Sequence, residues 1–289
     1  MNRKKRKKIA DIFFTVLTIA AIVLLLYPTV SDVVNSYNQS KVIAGYFDYA
    51  DNLSGDDYEQ AFAQADKYNE KLYGTKNGLL YPDRVKGYDD VLNVNSNGII
   101  GFVDIEKIGI HLPVYHSTSD TVLTQAVGHL KGSSFPTDKP NVHSVIAAHR
   151  GLVSTRLFTD LDEMQEGDTF SVTVLNKRFI YEVDSIQVVL PEENSYFRII
   201  DGENYCTLQT CTPYGVNSHR LLVRGKYVRT EQAVKEDFDT VSAVSDAVKK
   251  KENYIPLIIG IVMVIFHIYM RLPRRKNKAK KVNSKDVLQ

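Results

Sequence analysis

The sequence predicts an all-β domain, a closed barrel or a sandwich, with helices before it and a hydrophobic segment near each end of the chain. Three observations carry this reading. From Gly98 onward, short β-type runs alternate with turn formers. Upstream of Gly98, apolar residues recur at helical spacing. Two long apolar runs, at residues 9–27 and 254–270, each carry a basic cluster on their outer side.

In chain order, residues 1–8 are a tail with six cationic side chains. Ile9–Tyr27 is a 19-residue run whose single charge is Asp11, long enough to cross a bilayer as a helix. Its apolar stretch is long for a signal peptide and no small-x-small cleavage site precedes Pro28–Ser31, so it reads as an uncleaved anchor. Residues 31–97 form a helical region ending in a candidate lid loop. Ser31–Asn52 reads as one helix. Asp56–Tyr73 reads as a second, capped by Asp56 or Asp57, with Tyr58, Phe62, Ala65 and Leu72 on one face and Gly74 at its end. Residues 75–97 hold turn formers without a period and read as an extended surface loop.

The β-type domain covers residues 98–229. Its strands are expected at Ile99–Ile105 and Ile108–Tyr115 around the turn Glu106–Lys107, then at Val142–Ala148. Thr169–Leu175 and Arg178–Val189 flank a hairpin turn at Asn176–Lys177, and Asn204–Cys211 and His219–Val228 complete the set. Leu157–Met164 reads as one or two helical turns. Residues 230–253 are polar and read as a tether. Tyr254–Met270, 17 residues without a charge but with Pro256 and His267, is near the lower limit of a second span. Residues 271–289 form a tail with eight cationic side chains.

The tails hide the character of the middle. Between the tails and outside the two apolar runs lie 22 of the 36 basic residues and 32 of the 34 acidic ones. A nucleic-acid binder carries its basic surface on the folded domain, and this chain does not. Basic flanks stay cytoplasmic, so both tails are expected inside and residues 31–253 outside the cell membrane.

Two cysteines, Cys206 and Cys211, stand five residues apart. On one strand their Cα atoms would be roughly 16 Å apart, beyond disulfide reach. Odd spacing turns Cys206 to the opposite face, where it reads as structural. Cys211 ends an apolar-flanked strand just before the turn Thr212-Pro213-Tyr214-Gly215, at a rim that a substrate can reach. Thiolate is the nucleophilic form of cysteine and calls for a nearby cation. His149 closes the run Val145-Ile146-Ala147-Ala148, and Arg220 opens the last strand. A lone cysteine is more often a small buried hydrophobe; the matching histidine and arginine reverse that balance. His143 shares the strand face of His149 but lies deep and reads as a packing or hydrogen-bonding residue. None of the other histidines joins Cys, Asp or Glu in a metal-ligand pattern.

Thr207-Leu208-Gln209-Thr210-Cys211, followed by Arg220, resembles the sortase signature Thr-Leu-x-Thr-Cys with an arginine some nine residues on. Residues 147–170 resemble the histidine segment of the same family, and Ala126–Pro136 the stretch before it. The resemblance runs in order over residues 99–229. His149-Arg150-Gly151-Leu152, the Thr-Pro-Tyr-Gly turn and a second span resemble class C, the pilin-polymerising sortases. It implies an eight-stranded sortase-type barrel in which Cys211 is the nucleophile, His149 the acid–base and Arg220 the oxyanion group. Thr210 and His129 are further substrate or oxyanion candidates. The implied substrates are pilins or surface proteins with a Leu-Pro-x-Thr-Gly-like sorting signal. The implied acceptor is a lysine amine of another pilin or, as the alternative, a peptidoglycan precursor. No cofactor or metal is implied. The lid of class C enzymes usually holds an Asp-Pro-aromatic motif, whereas this chain offers Tyr81-Pro82-Asp83-Arg84 in the equivalent region.

Three other readings fit the residues less well. A sortase substrate would need Leu-Pro-x-Thr-Gly before Tyr254, and none is present. A papain-like protease would place cysteine before histidine. A non-catalytic membrane docking protein would make Cys211, His149 and Arg220 coincidental.

Overall fold

Strand pairing closes the β-domain on itself. The eight strands are β1 (Ile99–Ile105), β2 (Ile110–His116), β3 (Val127–His129), β4 (Val142–Ala147), β5 (Thr169–Val174), β6 (Lys177–Val189), β7 (Asn204–Thr212) and β8 (His219–Gln232). They form a barrel in the order β1-β2-β3-β4-β7-β8-β6-β5. β2–β3 and β4–β7 are parallel pairs and the remaining pairs are antiparallel. The structure, a computed structural model, describes residues 3–75, 79, 81–93, 95–233 and 259–264. It comprises two compact units, residues 27–253 and residues 1–26 with 254–289.

Alternation along the strands fills the barrel with Phe170, Val172, Phe179, Tyr181, Cys206, Leu208 and Val223, all buried. Phe170 and Tyr181 stack at 5.3 Å. Where β1 meets β5, Gly101 lies against the Thr173 carbonyl, a space that a β-carbon would occupy.

Two helices cover the barrel. α1 (Arg3–Ala50) buries Ile43, Tyr46 and Phe47. The Tyr46 hydroxyl donates to the Ile100 carbonyl at 2.7 Å and accepts from the Leu175 amide at 2.9 Å, so it bridges the β1 and β5 ends of the closing seam. Desolvation raises the Tyr46 pKa far above its ordinary value, which keeps the phenol a neutral donor. α2 (Gly55–Tyr73) buries Phe62, Ala65 and Leu72, as its spacing predicts. Its cap is Ser54 rather than Asp56 or Asp57. Ser54 Oγ accepts from the Asp57 amide while the Asp57 carboxylate accepts from the Ser54 amide, a reciprocal capping box that satisfies two otherwise orphaned donors.

Other expectations need correction. β3 was not anticipated: three residues carry no readable alternation, and the strand exists through its pairing with β2 and β4. Residues 9–27 and 31–52 are not separate helices, since α1 continues through Pro28. The loop after α2 does not stay on the surface, because Tyr88, Val91 and Leu92 are buried. β8 extends to Gln232, beyond the expected Val228.

Among the described residues one helix is long and apolar enough to cross a membrane, the stretch Asp11–Ala50 of α1. Its first part exposes Ile12, Phe13, Val16, Leu17 and Leu24, an apolar surface on several sides that suits lipid rather than water. The second expected span, 254–270, lies outside the described residues except for 259–264, and most of the tether and the basic tail lie outside them as well.

Candidate active site

Cys211 is the penultimate residue of β7, and its register partner on β8 is Arg220. Opposed residues of an antiparallel pair present their side chains on one face. On β6 the partner of Arg220 is Val189, so the face continues across three strands. It is the face on which Val145, Val189, Phe197 and Leu222 form a small apolar cluster, with Leu79 and Leu130 packed against it.

His149 arrives from the parallel neighbour. Ala147 is paired with Gln209, and the Ala148 amide donates to the Gln209 carbonyl at 3.1 Å, which carries the ladder one residue past the strand end. His149 follows at once, level with Cys211. Thr210 Oγ1 donates to the Ala148 carbonyl at 2.9 Å and is buried. Its hydroxyl is therefore occupied by the segment carrying His149 and is not free for an oxyanion. Cys211 and His149 are both half-buried. The Arg220 guanidinium donates to the carbonyls of Asn217 and His219, and among the described residues it pairs with no carboxylate.

Arg150 was missed by the sequence reading except as part of a motif. Its side chain is only 8% exposed although it pairs with the half-exposed Asp162. It also reaches Thr212 Oγ1 at 3.4 Å and lies 5.9 Å from the centre of the Tyr214 ring. Tyr214 packs over Gly151, where φ is +79° and a β-carbon would meet the ring at 3.1 Å. The residues after His149 thus interlock with the turn after Cys211. The sequence signal was the pairing of His-Arg-Gly with Thr-Pro-Tyr-Gly.

The placement of His129 differs from expectation, and those of His143 and Cys206 do not. His129 is fully buried on β3. Its Nε2 is 2.9 Å from the Ser134 carbonyl, its Nδ1 is 3.0 Å from the Tyr88 hydroxyl, and its ring stacks on Phe135 at 4.6 Å. Burial pushes its pKa down to about 3, so it is a neutral packing residue with both nitrogens engaged, and this argues against a substrate contact. His143, as anticipated, is buried and bonded, to the Arg198 carbonyl at 2.9 Å and Thr207 Oγ1 at 2.8 Å. Cys206 lies in the barrel interior, where burial raises its thiol pKa. In the lid region, Asp83 pairs with Lys131 at 2.7 Å and Arg84 lies over the Tyr81 ring at 4.1 Å, while Pro82 begins a 3-10 turn. Among the described residues of this region, Leu79 joins the apolar cluster on the site's face.

Comparison with known proteins gives this barrel its class. The family model described as Sortase domain matches residues 103–228. Sortase C1 of Streptococcus agalactiae is 42% identical, with 65% of this chain and 98% of that one covered at a TM-score of 0.61. Sortase C of Streptococcus pneumoniae is 36% identical over 67% of this chain and 99% of that one, TM-score 0.61. Sortase C of Clostridium perfringens, solved with the C-terminal cell wall sorting motif, is 36% identical over 65% and 98%, TM-score 0.58. The chain belongs to the sortase family, whose members are membrane-associated cysteine transpeptidases. These three solved structures are class C sortases.

Proposed function

We propose that the chain cleaves a Leu-Pro-x-Thr-Gly-like sorting signal through a thioester on Cys211 and passes the acyl group to a lysine amine of another pilin subunit. The observation that carries this is the in-register pairing of Cys211 with Arg220, beside the strand end that delivers His149. The Cys211 sulfur attacks the threonine carbonyl, and the bond to glycine breaks as His149 gives its proton to the leaving amine. In the second step the incoming amine attacks the thioester, His149 takes a proton from it, and the Cys211 sulfur is released. Arg220 stabilises the oxyanion in both steps. The class C neighbours support the pilin acceptor: the Streptococcus pneumoniae structure bears on pilin substrate specificity.

Attachment to a peptidoglycan precursor uses the same chemistry, so the acceptor must be measured. Incubation with a sorting-signal peptide and a pilin lysine donor should give an isopeptide product by mass spectrometry. Cleavage with transfer only to a precursor amine would replace pilus assembly with cell-wall anchoring. For topology, the proposal places both basic tails in the cytoplasm, and protease added outside intact cells should leave both uncut. A cut tail would refute that placement.

A further inference from the structure

The loop that follows His149 is gripped by the helix that leads into the domain. On α1, Asn35 Nδ2 donates to the Ser154 carbonyl at 2.7 Å, and Asp32 Oδ1 accepts from the Arg156 amide at 3.1 Å. Asp32 is buried. Two residues beyond Arg156, the Phe158 amide donates to the carbonyl of His149 itself at 3.2 Å. Between these bonds lies Leu157, buried and in the left-handed region at φ +40°. A leucine stays there only where its surroundings impose the conformation. Polar Asp32, Lys107 and Asp160 and apolar Ile108, Ile110 and Leu157 together line a cleft between helix and loop. Leu157 and Phe158 also pack in the core, so the hydrogen bonds act together with apolar packing to set the loop's position.

We propose that Asn35 and Asp32 are positioning residues for His149, acting through the strained segment at residues 154–158. The proposal rests on His149 being the acid–base group of the transpeptidase. It makes α1, which is also the candidate membrane span, part of the catalytic machinery as well as an anchor. Without the grip, Leu157 relaxes, the bond from Phe158 to the His149 carbonyl weakens, and the imidazole loses its fixed distance from Cys211.

The test uses the full chain in detergent micelles and three isosteric variants. Asn35→Asp turns the donor facing Ser154 into an acceptor. Asp32→Leu removes the oxygen that accepts from the Arg156 amide. Asn69→Asp breaks a comparable bond from α2 to the barrel domain, to the Phe135 carbonyl at 2.9 Å, which lies outside the His149 loop. The readouts are kcat and KM on a sorting-signal peptide and hydrogen exchange of the Phe158 amide. Asn35→Asp should lower kcat about tenfold with KM nearly unchanged, the kinetic equivalent of one lost hydrogen bond, and should speed Phe158 exchange. Asp32→Leu should move both readouts in the same direction, and Asn69→Asp should leave both in place. Equal kcat losses in Asn69→Asp and Asn35→Asp would reduce the contact to general stability, and a wild-type kcat in Asn35→Asp or Asp32→Leu would overturn the proposal. Should the wild-type chain turn over no sorting peptide, the functional reading fails by itself. Phe158 exchange then decides the grip, and wild-type exchange in Asn35→Asp refutes it.

Discussion

Arg150 shows how much a single side chain can hold together. Its guanidinium is removed from water, paired with Asp162 and laid beside Thr212 and Tyr214, so it joins the chain next to His149 to the chain next to Cys211. Among the described residues its Nε has no partner. Arg150→Gln should lower kcat/KM by about tenfold or more, as expected for loss of charged hydrogen bonds, while the melting temperature changes little. Unchanged kinetics would remove it from the account. The buried histidines make a second prediction. Burial lowers the pKa of His129 to about 3 and of His143 to about 4, against an ordinary 6.5. Between those values and 6.5 the unfolded chain binds protons that the folded chain excludes, so stability is lost as pH falls below about 6.5. At 1.36 kcal/mol per pKa unit, each histidine should cost about 2 kcal/mol at pH 5 relative to pH 8. Denaturant midpoints at the two pH values measure this, and a His129→Gln variant should show a shallower decline. Equal midpoints would contradict the neutral-imidazole reading. At this scale Cys211, Arg220 and His149 were legible because strand ends and a neighbouring turn announce a rim. The hydroxyl of Thr210 was not, since nothing in a linear pattern tells that Ala148 lies across from it.

Among the elements, the barrel depends on the seam between β1 and β5. Gly101 lets the strands close there, with the Tyr46 hydroxyl bridging the Ile100 carbonyl and the Leu175 amide nearby. Gly101→Ala should cost about 2–3 kcal/mol, the usual range for forcing extra volume into a packed site, measured by urea denaturation. A loss near zero would mean that the seam is looser than described. The long strands were legible within a residue or two because their alternation is local. β3 was not, because a three-residue strand is defined only by its partners. The buried segment around Tyr88 escaped for the same reason: its turn formers are real, in the 3-10 turns Pro82–Arg84 and Tyr88–Asp90, but the pocket formed by Tyr68, His129 and Phe135 is assembled from distant parts of the chain.

For the whole molecule, charge segregation and apolar length pointed to a membrane-held enzyme, and family membership supports membrane association. The N-terminal span agrees with an exposed apolar helix, whereas Pro28 marked an end in the sequence and is a point of continuation in the fold. The order His149, Cys211, Arg220 along the chain becomes neighbourhood in space only because β4 and β7 pair in parallel and β7 and β8 antiparallel. The central claim is that this rim forms an acyl-enzyme. Intact-mass spectrometry of the full chain mixed with a Leu-Pro-x-Thr-Gly peptide, beside Cys211→Ala, tests it most directly. The account predicts an added mass equal to the acyl fragment, mapped to Cys211 and absent from the variant. An adduct that persists in Cys211→Ala, or peptide cleavage undiminished by that substitution, would contradict it.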